Sequence, residues 1–162
     1  MKSVANIVSE FVKRGHPLGK EIYLEEASLL AIQLGQRLGL SDFELDLSPK
    51  SLRLLEDKLV EFSQSISLET LSEEDIVQMV REVTAYVGKV LVLHTQGRWV
   101  NLGTLLGTSV VIEGKIKMNK EGQTRIIPSI AFRIGVMGTA AVNMAFLGKK
   151  PILYKDYLYA KN

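Results

Sequence analysis

The amino-acid sequence predicts an α+β fold: an N-terminal helical layer with a long central helix, followed by a small antiparallel sheet and a C-terminal helix. Three observations carry this. Helical periodicity dominates residues 1–95, and a capped apolar seam opening at Ser72 persists for about five turns. Eight of the 13 glycines then lie in residues 89–162, where the periodicity shifts toward two. Helices first and strands afterwards argue for an antiparallel sheet rather than a βαβ arrangement. With 162 residues, 46% hydrophobic and 23% charged, the chain is expected to form one domain over 1–162. At that length about 70% of the unfolded surface is buried without staples.

Val4, Ile7, Val8, Phe11 and Val12 form one face of a first helix, which Gly15 and Pro17 stop. Ala27, Leu30, Ala31, Leu34 and Leu38 repeat at helical spacing, with Gly39 as a left-handed stop. A third helix is predicted to open at Ser48-Pro49, with Leu47 packing on Leu52 and Leu52, Leu55, Leu59 and Phe62 buried. The central helix has Ser72 and Asp75 as a capping box and Leu71 and Ile76 as its staple. Its seam is Ile76, Val80, Val83, Val87, Val90 and His94, with Gly97 as the expected end. Thr84, Ala85 and Gly88 make a small-residue patch that a neighbouring backbone can approach closely. Alternation from Val110 to Met118 predicts one half-buried strand, Asn119–Gly122 a turn, and Thr124–Ile127 the returning strand. Arg98–Leu102 supplies a third strand, Ser129–Leu147 a helix, and Pro151–Tyr159 a segment apolar enough to dock.

The absence of cysteine excludes disulfides, thiolate metal sites and a cysteine nucleophile. The first residues contain no apolar run long enough for a secretory leader, and Glu10 interrupts what there is, so a cytoplasmic bacterial-type protein is expected. Ile126–Leu147 is the one membrane suspect. Arg133 within it costs roughly 2.5–3.5 kcal/mol at a bilayer centre, and the clean stretch Ile134–Leu147 has a length suited to a buried helix. Charge is divided: residues 1–88 carry nine Lys/Arg and 15 Asp/Glu, a net of −6, while residues 89–162 carry 11 and three, a net of +8. The basic hairpin Lys115, Lys117, Lys120, Arg125 lacks the interleaved aromatics of a nucleic-acid reader, so nucleic acid is not the expected partner.

No nucleophile elbow, phosphate loop or dinucleotide fingerprint occurs. His16 and His94 lack metal-ligand spacing, and Glu21 and Glu25 read as exposed carboxylates of one helix face. No catalytic residue, cofactor or metal is therefore assigned. The nearest constellation is His94, Arg98 and Trp99 with Tyr86 upstream, the candidate partner- or ligand-binding residues. Histidine titrates near neutrality and Arg98 can clamp an anion. Equally, His94 closes an apolar seam near a helix C-terminus, and Trp99 suits a core anchor at the helix-to-strand corner.

Leu45-Asp46-Leu47-Ser48-Pro49-Lys50-Ser51-Leu52 resembles an "LDYSPESL" helix opening, and Ala85-Tyr86-Val87-Gly88-Lys89 followed by Gly97-Arg98-Trp99 resembles an "AYLGE…GGxW" element. In that order they resemble uncharacterised bacterial α+β proteins grouped as domains of unknown function, over about residues 44–100. Lys89 stands where that pattern has glutamate, and Gln96 where it has the first glycine. The resemblance implies a fold type and a bacterial cytoplasmic setting, and no activity. Two readings follow. The first is a non-enzymatic protein-binding module, of immunity or accessory type, with Trp99 and Arg98 or the tyrosines 154, 157 and 159 as anchors and a homodimer possible. The second is a small enzyme or ligand-binding protein using His94 with Glu82 or Arg98 in a pocket.

Overall fold

A computed structural model describes residues 2–161. The helices are α1 (Val4–Lys13), α2 (Leu24–Leu38), α3 (Ser51–Ser65), α4 (Glu73–Thr95), α5 (Ile134–Phe146) and α6 (Leu153–Lys161). The strands are β1 (Arg98–Val100), β2 (Ser109–Ile112), β3 (Lys115–Met118), β4 (Thr124–Ile127) and β5 (Ile130–Phe132). The predicted α+β order therefore stands, with helices before strands and a helical C-terminus.

Helix α4 is the spine. Ser72 Oγ accepts from the Asp75 amide at 3.1 Å, which satisfies one of the free donors of the first turn, and three carboxylates there face the positive end of the helix. Every residue from Met79 to Gly88 is buried, so for nearly three turns no face of the helix reaches water. It is packed by α2 on one flank and α5 on another, with α1, α6 and the strands closing around it. One hydrophobic cluster, drawn from Val4 through Tyr157, contains side chains of all six helices together with Val110 of β2. No helix among the described residues is long and apolar enough to cross a membrane. The suspect segment instead gives the end of β4, all of β5 and the 13-residue core helix α5.

Several boundaries differ from expectation. Helix α4 ends at Thr95 and is stopped by Gln96, which adopts φ 58°, one residue before Gly97. Gly97 is buried instead, with β2 close enough that a Cβ would meet the Val110 side chain. Helix α3 begins at Ser51, because Ser48-Pro49-Lys50 form a tighter i→i+3 turn in which Ser48 Oγ accepts from the Ser51 amide. The alternating run from Val110 to Met118 is two strands, broken at Glu113-Gly114 and belonging to different sheets. Residues 130–132, expected at the start of a helix, form the edge strand β5.

Strand β2 is the centre of a three-stranded antiparallel sheet, β1-β2-β5, with Trp99 opposite Val110 and Val110 opposite Phe132. Strands β3 and β4 make a separate two-stranded ribbon with Ile116 opposite Ile126 and Lys117 opposite Arg125. Because directly paired residues share a face and faces alternate along a strand, Ile116, Ile126 and Met118 lie on one side. Lys115, Lys117, Arg125 and Ile127 lie on the other.

Candidate functional site

Two of the four sequence candidates converge on one backbone position. Leu47 adopts φ 64°, a left-handed conformation that a leucine rarely takes, and α4 holds it there from both sides. The Tyr86 hydroxyl accepts from the Leu47 amide at 3.0 Å, and His94 Nε2 lies 2.8 Å from the Leu47 carbonyl. Since a carbonyl only accepts, Nε2 is the protonated ring nitrogen. Ser51 Oγ donates to the Ser48 carbonyl at 2.6 Å, so its bond with Tyr86 is donated by the phenol. Burial raises the Tyr86 pKa, which keeps that donor protonated. The His94 ring also meets the Tyr157 ring edge-on, at 6.3 Å between centroids.

This arrangement predicts that Tyr86→Phe destabilises the protein by about 1–3 kcal/mol, because the Leu47 amide loses its partner and Ser51 loses a donor. Equilibrium urea unfolding checks it. A cost near zero would show that Leu47 holds its conformation without the phenol.

The other two candidates lie elsewhere. Trp99 is half-buried, its indole N–H donating to the Ile22 carbonyl at 2.8 Å and its ring filling the notch at Gly88, where a Cβ would sit 2.5 Å from the ring. In the small-residue patch on α4, Gly88 is thus the seat of this tryptophan and of Ile134, while at Thr84 the α5 backbone comes as close as expected, with Gly138 against it. Arg98 is exposed and donates from Nε to Glu113 at 2.8 Å. Ser129 Oγ donates to the same carboxylate while accepting from the Gly114 amide. Arg98 holds the Glu113 carboxyl below its usual range. These four residues brace the root from which the ribbon projects. Glu82, a possible partner of His94 by sequence, is bonded through both oxygens to Arg37. Of the C-terminal tyrosines, Tyr157 is buried, Tyr154 stacks under Arg53 at 4.2 Å, and Tyr159 is exposed.

Two surface features were not anticipated. One is a cleft of about 320 Å³ between α2, the segment 41–47 and α4, with Ala31, Gly35, Leu45 and Tyr86 among its lining and Asp42, Asp46 and Lys89 bordering it. Asp46 is kept below the ordinary carboxylate range by hydrogen bonds from Ser48, and is therefore ionised at neutral pH. Neither His94 nor Arg98 lines this cleft. The other feature is the ribbon. Lys115, Lys117 and Ile127 line a groove against Ala160 and Lys161 of α6, so this side lies nearer the body, with both lysines still exposed. Its apolar side faces water: Ile116 is 75% exposed, Met118 70% and Ile126 76%. Both sides of the ribbon therefore reach water, which leaves two isoleucines and a methionine uncovered where a sheet usually buries such residues.

Among the described residues, no group of three or more His, Asp and Glu side chains is placed to hold a metal ion. No protein-family model, curated protein or solved structure matches the chain. The functional reading therefore rests on the geometry.

Proposed function

We propose that this chain is a non-enzymatic protein-binding module, of immunity or accessory type, in a bacterial cytoplasm, and that the β3–β4 ribbon is its docking element. The observation that carries the reading is the outward apolar face of Ile116, Met118 and Ile126. A two-stranded ribbon with no cover is marginal by itself, and these side chains gain most by being taken out of water. The chemistry of the partner follows from the flanks. Lys115, Lys117, Lys120 and Arg125 against Glu121 give residues 115–127 a net of +3, and none of the four cations forms an ion pair among the described residues. The complementary surface is a protein face that is apolar at its centre and acidic at its rim. Against catalysis, His94 Nε2, both Glu82 oxygens and Arg98 Nε are engaged by three different structural partners rather than converging on one site.

The test is a capture experiment on the native host, comparing the natural chain with Ile116→Asp/Ile126→Asp. Both positions are exposed but face each other across the ribbon, so hydrogen exchange of the β3 and β4 amides is read alongside the melting temperature to show that the ribbon still forms. The variant should lose a stoichiometric protein partner by at least tenfold in affinity, about 1.4 kcal/mol. Equal capture by both chains would refute the ribbon as the docking element.

A further inference from the structure

Building on the ribbon as a protein-docking element, we propose that its occupant is a second copy of this chain: the apolar face of the ribbon enters the cleft between α2, segment 41–47 and α4 of the partner protomer, and the exchange is reciprocal. The two surfaces match in hydrophobicity. Ile32, which lines the cleft, is 52% exposed, and Phe43, next in sequence to the lining residue Asp42, is 94% exposed, apolar surface as unexplained within one protomer as the ribbon itself. They match in charge as well. The charged residues that line the cleft are Asp42, Asp46 and Lys89, a net of −1, against +3 on the ribbon.

Charge also decides between two ways of covering the ribbon. Stacking two ribbons face to face would bring together two segments that each carry a net of +3, whereas ribbon in cleft brings that charge to Asp42 and Asp46. Area explains the reciprocity. Three side chains are a small part of the ~800 Å² per partner that a stable interface uses, but exchange buries both the ribbon and the cleft of every protomer. A two-fold axis closes such an exchange into a dimer and leaves no free ribbon to extend a chain of molecules.

Association is read by sedimentation at about 100 μM, where the natural chain is expected to be a dimer that weakens at high salt. Lys117→Glu/Lys120→Glu takes the ribbon from a net of +3 to −1, and Asp42→Lys takes the cleft lining from −1 to +1. Each variant alone is expected to be monomeric, because its ribbon and cleft now carry the same sign. Mixed one to one, they should form a dimer, since both dockings again join opposite charges. The native chain has no cysteine, so single thiols report position cleanly. Oxidising a mixture of Met118→Cys and Ile32→Cys protomers should give the mixed disulfide in preference to either homodimer.

A monomeric natural chain at this concentration overturns the exchange but leaves the protein-binding reading standing wherever Ile116→Asp/Ile126→Asp still abolishes capture. A Met118→Cys homodimer as the main product overturns it in favour of stacked ribbons. Ribbon-dependent binding to anionic vesicles by a monomeric chain overturns both readings.

Discussion

Arg37→Ala is expected to lower the free energy of unfolding by about 3–5 kcal/mol, the largest loss available to a single charged residue here. The reason lies in its partner. Glu82 is in the middle of the all-round buried stretch of α4, with a side chain only 3% exposed, while Arg37 reaches it from the end of α2 with 21% of its own side chain still in contact with water. Both carboxylate oxygens are taken by the guanidinium, Nε at 2.7 Å and the second nitrogen at 3.0 Å. That fork geometry favours the charged arginine, whose pKa Glu82 raises further. Deleting Arg37 leaves a carboxylate in the core with nothing to pair it. The cost is therefore not the net worth of the pair, which is small, but the penalty of a stranded charge. Two controls separate these quantities. Arg37→Lys should recover only part of the loss, because an ammonium cannot make the fork. Removing both charges, as Arg37→Leu/Glu82→Leu, should cost far less than Arg37→Ala alone. Urea unfolding with an unchanged slope measures all three, and a loss below 1 kcal/mol for Arg37→Ala would contradict this account.

The spine was legible in the sequence because its signals are local and agree with one another. A serine cap, acidic first turn and four–three apolar spacing all specify one helix from Ser72, and that helix forms. The pairing of Arg37 with Glu82 was not legible, since the two are 45 positions apart and nothing local distinguishes them from surface charges. Helix ends failed for a related reason. Gln96 takes the left-handed stop that propensity assigns to Gly97, and it is the position where the resembling pattern carries glycine. Strand β5 was hidden because three apolar residues preceding an apolar helix have no period of their own.

The site was half visible. His94 at the end of an apolar seam, with Tyr86 two turns upstream, marked the pair, but their shared partner is the backbone of Leu47 in a conformation that leucine does not advertise. The ribbon shows the limit most clearly. Alternation of Lys115, Ile116, Lys117 and Met118 separates two faces without saying which one is turned to the body. The groove beside α6 puts the lysine side nearer the body while Ile116, Met118 and Ile126 stay uncovered, and these uncovered side chains move the functional question from the His94 region to the ribbon.

Gly135→Ala should cost about 3 kcal/mol, at the upper end of overpacking effects, although alanine is the better helix former. On helix propensity alone the change would stabilise α5 by up to about 1 kcal/mol, so the sign itself is diagnostic. A Cβ at position 135 would stand 1.8 Å from the Leu105 carbonyl oxygen, well inside contact distance, and the obstacle is backbone rather than a side-chain tip that can swing away. That backbone is itself fixed. Leu105 is fully buried, its carbonyl accepts from the Thr108 amide at 3.2 Å, and Gly135 donates to the Thr108 carbonyl at 3.1 Å. Thr108 in turn accepts from the Ile22 amide through its hydroxyl. Relief therefore requires α5 to retreat from the 105–107 turn or β2 to leave its place between β1 and β5. Either movement carries the Glu113–Gly114 root with it, so the variant should loosen the ribbon as well as lower the melting temperature. Hydrogen exchange of the β3 and β4 amides distinguishes this from local strain. Faster exchange there, with α2 protected as before, is the expected pattern, and a variant as stable as the natural chain would show that the turn yields without cost.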